Sequence, residues 1–112
     1  MNSIDSFRER LHSGEHAFAE TLSFIADNYT YTPAAFTNGS VRNEAGQNEG
    51  SCKTLALAHL EGLSEEEALL AFGEHYRSVR DNPNGADHAN IRSLQHHGLT
   101  GVHFDKPPLS RR

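Results

Sequence analysis

Apolar residues recur every three or four positions along most of this chain, and the rhythm breaks in only a few places. Ile4, Phe7 and Leu11 share one side of a first short helix, which Ser3 or Asp5 can cap and Gly14 stops. Across "EHAFAETLSFIADN", Phe18, Leu22 and Ile25 keep the spacing of a second helical face. Then "YTYTPAAFTNGSVR" brings aromatic and β-branched residues, a proline and an Asn38-Gly39 turn signal. A short strand or hairpin is expected there, limited by Pro33, which has no N–H to give to a ladder.

The polar run "NEAGQNEG" reads as a loop, and Asn48 or Ser51 can cap the helix that follows with Leu55, Ala56 and Leu60, ending near Gly62. Ser64 and Glu67 stand three apart, the spacing of a capping box. They open the most strongly patterned helix, with Leu69, Phe72, Tyr76 and Val79, which Asn82-Pro83 ends. After the turn "NPNGAD", Asp87 is expected to cap a last helix carrying Ile91 and Leu94 and stopped by Gly98. "GVHF" reads as a strand, and "DKPPLSRR" as a mobile tail with two prolines and little to bury. The expected fold is α+β and mostly helical, with about five short helices and a small β-hairpin or sheet. It forms a single domain over residues 1–105, with a flexible C-terminal tail over 106–112.

Composition narrows the setting. In 112 residues, 36% are hydrophobic, enough for one modest core. The formal net charge is −5, and no block of like charge is longer than the "EEE" at 65–67. Nucleic acid and anionic membrane surfaces both demand clustered Lys and Arg, so neither is expected as a partner. No apolar run approaches the roughly 20 residues of a membrane span. The start "MNSIDSFRER" does not read as a signal peptide, and a lone cysteine suits a reducing compartment. The cytoplasm is the expected location. Protonating all eight histidines would reverse the sign of the charge, which makes solubility pH-sensitive.

Chemistry could reside in four places. Cys52 stands in the first turn of a helix, where N–H groups and the macrodipole favour a thiolate, with Lys53 alongside. A thiol enzyme would use Cys52 as nucleophile, His88 as base and Asp87 or Asn90 as orienter. The opposing reading packs Cys52 inward with Leu55, Ala56 and His59 as a small hydrophobe. "GSCKT" at 50–54 approaches the end of a phosphate loop, but Cys52 replaces a glycine and Gly46 is one position out of register. "HSGEH" at 12–16 formally matches a zinc pattern. Gly14 and the capping residue Ser13 interrupt the helix that such a site needs, so no metal is expected. Lastly, "NEAGQNEGS" and "NPNGADHANIR" are rich in Asn, Gly, Asp and His. If the two helix starts lie together, Glu44, Gln47, Asn48, Cys52, Asp87, His88 and Asn90 would line one polar cleft. The same residues also simply make turns and caps.

At these segments the chain resembles the HopJ type III effector family. The resemblance is carried by "YTPAAFTNG", "NEAGQNEGSCK", "GLSEEEALLAFGEHYR", "NPNGADHANIR" and "GLTGVHF", and it spans nearly everything from Tyr29 to Phe104. It implies a bacterial protein, cytosolic or exported by type III secretion, and it brings no catalytic mechanism with it. It also implies that Asn43, Glu44, Gly46, Gln47, Asn48, Gly50, Cys52, Asp87 and His88 belong to a shared signature, while His12, His16 and the tail lie outside. The expected function is therefore a binding or interaction module without a cofactor, its partner an unidentified protein or small-molecule ligand. Thiol-dependent catalysis at Cys52 is the alternative.

Overall fold

The computed structural model describes residues 3–112. Two helices come first, α1 (Ile4–Leu11) and α2 (Phe18–Asn28), followed by strands β1 (Tyr29–Tyr31), β2 (Phe36–Asn38) and β3 (Val41–Asn43). Helices α3 (Glu49–Glu61), α4 (Glu65–Leu70), α5 (Glu74–Asp81) and α6 (Ala89–His97) follow, and a 3-10 turn over Leu99–Gly101 leads into β4 (Val102–Phe104) and β5 (Leu109–Arg111). The fold is α+β and mostly helical, as the periodicity predicts.

Helix α3 is the axis of the molecule. Leu55, Ala56, Leu57 and Ala58 are all buried, so the helix is covered on every side by its neighbours. Phe7 and Leu11 of α1, Phe24 and Ile25 of α2, Leu69 and Phe72 around α4, and Ile91 and Leu94 of α6 complete one continuous core. Two small antiparallel sheets flank it, β1–β5 and β3–β2–β4. The Asn38-Gly39 signal makes the expected hairpin, with Gly39 at φ +60° and Phe36 opposite Asn43. On its other side β2 takes β4, with Phe36 opposite Phe104 and Asn38 opposite Val102.

Two expectations are corrected. The long helix over 65–81 is broken, because Gly73 turns to φ +59° and presses against the main chain of Ala17 and Phe18, where a Cβ would sit 2.5 Å from the Phe18 nitrogen. Six α-helices stand among the described residues, in keeping with the expected number of about five. The expected free tail is also part of the fold. Leu109–Arg111 pairs with β1, Pro108 and Leu109 are buried, and Arg111 meets Glu61 at 2.8 Å. Leu109, apolar and set against an ordered partner strand, anchors the segment together with Pro108.

Candidate functional site

Four asparagines from three elements and a loop meet in one cluster. Asn90 Oδ1 accepts from Asn38 Nδ2 at 3.1 Å and from Asn43 Nδ2 at 3.2 Å, and Asn90 Nδ2 donates to Asn43 Oδ1 at 3.0 Å. Asn48 Nδ2 donates to Asn43 Oδ1 at 2.7 Å. Asn38 Nδ2 also reaches the Asn90 main-chain oxygen at 2.8 Å, and Ser93 Oγ donates to the Asn38 carbonyl at 2.6 Å. Asn38, Asn43 and Asn90 are each more than nine-tenths buried. Carboxamides suit such a place, since each carries donor and acceptor and no charge to desolvate. The cluster ties the start of α3 and the start of α6 to the β2–β3 hairpin.

Both helices begin in an unusual way. Their first flanking residues, Asn48 and His88, are the two non-glycine residues with positive φ among the described residues, at +49° and +53°. Neither places its side chain over its own helix start, in contrast to Ser3 and Ser64, which cap α1 and α4. The left-handed backbone aims the side chain elsewhere, and the Asn48 amide is held by Asn43. Among the described residues, the N–H groups of Gly50, Ser51, Ala89 and Asn90 consequently have no acceptor. The residues carrying them line one cavity of about 360 Å³, together with His75, His88, Phe18 and Phe72.

Aromatic packing shapes the opposite wall. Phe18 stacks on Phe72 with ring centres 5.9 Å apart, His75 stands edge-on to Phe18 at 5.1 Å, and His88 lies 5.1 Å from His75. Gly50 is required by this wall: a Cβ there would come within 2.8 Å of the Phe18 ring. Two helix N-termini and two imidazoles thus face one opening, and all four favour negative charge when the imidazoles are protonated.

The predicted cleft is present in part. Asn48, His88 and Asn90 line it, along with Gly50. Gln47 turns back to accept the Glu44 N–H at 3.0 Å, and Gly46 supplies a turn at φ +88°. Asp87 does not cap α6; its carboxylate pairs with Arg92 at 2.7 Å, which holds it ionised below the usual range.

Cys52 faces away from this cavity. It is 1% exposed, and its sulfur reaches the Ala34 carbonyl at 3.7 Å. Burial pushes its thiol up, against the direction a nucleophile needs. No histidine is among its hydrogen-bond partners, and His88 instead stands beside His75 and Asp87. The structure therefore does not assemble Cys52, His88 and Asp87 into one constellation. His12 and His16 are likewise engaged separately, His12 beside Glu67 at 3.4 Å and His16 buried on Thr21 at 2.6 Å. Thr21 gives its own proton to the Ala71 carbonyl, so His16 is the donor in that pair.

Sequence reasoning missed Asn38, Ser93 and the Phe18–Phe72 wall. Asn38 reads as the turn residue before Gly39, and only its position opposite Val102 in a covered strand shows that its side chain is interior. Ser93 lies one turn into α6 with no signal beyond its spacing of three from Asn90.

A family model described as HopJ type III effector protein matches residues 4–109. No match was found among curated proteins. The crystal structure of VPA0580, a protein of unknown function, is 40% identical to this chain, covering 100% of it and 97% of that chain, and superposes with a TM-score of 0.92.

Proposed function

The chain belongs to the HopJ type III effector protein family, and from that premise we propose that it is a binding module whose cavity between α3 and α6 holds a small anionic molecule. One observation carries the reading: two helices of 13 and 9 residues start at the same cavity, and neither is capped by a side chain. N–H groups left free at a helix start turn to water or to a ligand, and a carboxylate or phosphate accepts from them with the macrodipole in its favour. Binding rather than catalysis is supported by the seclusion of Cys52 and by the pairing of Asp87 with Arg92. The family description supports export by type III secretion. Among the described residues, no helix is long and apolar enough to cross a membrane.

The test is a phosphate titration followed by amide chemical shifts. Phosphate should move the resonances of Gly50, Ser51, Ala89 and Asn90 first. His75→Gln with His88→Asn should weaken binding about tenfold, the worth of roughly 1.4 kcal/mol. Asparagine is chosen at 88 because it tolerates positive φ. Amides that stay still up to about 50 mM phosphate, a ceiling of under ~2 kcal/mol of binding, would end the proposal.

A further inference from the structure

A larger hollow lies elsewhere on the molecule, between α3 and the segment that joins the two sheets. Its volume is about 500 Å³, within the range of roughly 300–1,000 Å³ that small-molecule sites occupy. The floor is apolar: Ala56, Val102, Pro108 and Leu109 are buried, with Leu60 and Phe104 half-buried beside them. One side is walled by the Asp105–Pro108 segment, which is anchored at both ends, by β4 against β2 and by β5 against β1. The mouth carries four titratable groups, His59, His103, Asp105 and Lys106.

These four do not balance. Asp105 is paired with Arg42 at 3.3 Å. His59 gives its Nε2 proton to the Leu99 carbonyl at 3.2 Å and stands edge-on to Phe104. Lys106 has no carboxylate partner among the described residues. With histidines counted as neutral, the one formal charge left unpaired at this mouth is therefore the Lys106 ammonium, in a chain whose net charge on the same count is −5.

We propose that this hollow is a second ligand site, independent of the α3–α6 cavity, and that it takes an apolar small molecule bearing one carboxylate. The apolar body covers the Ala56, Leu60, Val102 and Leu109 surface, and the carboxylate lies at the mouth beside Lys106. An apolar floor supplies affinity without orientation, and the single cation fixes which end of the ligand stays in water. A two-headed or fully polar ligand would leave the floor wet.

Octanoate and octanol, which share a chain and differ in charge, are the probes. Titrated into the intact protein and followed by chemical shifts, octanoate should perturb Ala56, Leu60, Val102 and Phe104 and bind about two- to fivefold more tightly than octanol, as a partly exposed ion pair allows. Lys106→Met, at an exposed position, should bring octanoate down to the octanol level and leave octanol unchanged. Equal or tighter binding of octanol to the unaltered protein would overturn the proposal, with no variant needed. So would octanoate shifts confined to Gly50, Ser51, Ala89 and Asn90, which would assign the carboxylate to the other cavity. Absence of any shift at about 10 mM octanoate would overturn it as well.

Discussion

Replacing Asn90 by alanine removes the hub of the asparagine cluster while leaving its main chain in place. Three side-chain hydrogen bonds go, those joining Asn90 to Asn38 and the two joining it to Asn43. The survivors decide the size of the loss. Asn38 Nδ2 keeps the Asn90 main-chain oxygen at 2.8 Å, and Asn43 Oδ1 keeps Asn48 at 2.7 Å. Asn43 Nδ2 is left with only the Val41 carbonyl at 3.4 Å, a long contact. One buried donor, Asn43 Nδ2, is thus stranded, at about 1–3 kcal/mol, while the Asn43 Oδ1 acceptor and the Asn38 Nδ2 donor each lose one of two partners, for a total of ~2–4 kcal/mol. Domains of this size have roughly 5–15 kcal/mol in hand, so the variant should fold but unfold at clearly lower urea. Circular dichroism across a urea series measures this, with an unchanged slope showing that the same surface is exposed. A loss under about 1 kcal/mol would refute the reasoning, because it would mean that Asn43 is not stranded. Asn90→Asp sharpens the test. It sets an oxygen against Asn43 Oδ1, so its folded pKa must rise above the ordinary value near ~3.9. Protonation then restores a donor, and the deficit should shrink as pH falls through the raised folded pKa.

Further outcomes follow from single contacts. Arg8 grips Glu67 with two bonds of 2.9 and 2.8 Å and holds its carboxyl down at about 2. A depressed folded pKa stabilises above the unfolded value near ~4.3 and the gain is lost toward pH ~2, so Glu67→Gln should lower the Tm at pH 6–7 and match the parent near pH ~2. A deficit that persists undiminished at acid pH would place the effect in packing instead. Cys52 should resist alkylation in the folded protein and react on unfolding, since it is 1% exposed with a raised pKa. Rapid labelling at pH ~7 in native buffer would contradict its placement. Gly73→Ala should cost at least ~2 kcal/mol by thermal unfolding, given φ +59° and a Cβ only 2.5 Å from the Phe18 nitrogen. A neutral outcome would show that the α4–α5 break relaxes without it.

Local signals in the chain were read well where nothing distant competed. The Ser64–Glu67 capping box forms with both its bonds, 3.0 and 3.1 Å, as the spacing alone requires. The Asn38-Gly39 hairpin, the stop at Asn82-Pro83 and the strand at Val102–Phe104 are of the same kind. The two helix starts around the candidate cavity depart from their local signals for one reason. Asn48 and Asp87 are good caps by residue type, but Asn43 and Arg92 take their side chains first. Nothing in a neighbouring window announces that competition.

Periodicity, capping and turn chemistry thus determined by themselves the α+β class, most helix positions and the hairpin, because each depends on residues within about one turn of helix or one tight turn. Only the tertiary structure decided that Cys52 faces Ala34 and not a histidine, that Leu109 recruits the last residues into a strand, and that four asparagines close on one another. Those outcomes join positions far apart in the chain, as with Tyr31 and Leu109, 78 apart, which stand opposite each other, and Asn43 and Asn90, 47 apart, which share hydrogen bonds. Burial at such a distance is set by the packing of the whole core around α3, and an asparagine carries no local mark of whether it will meet water or another amide.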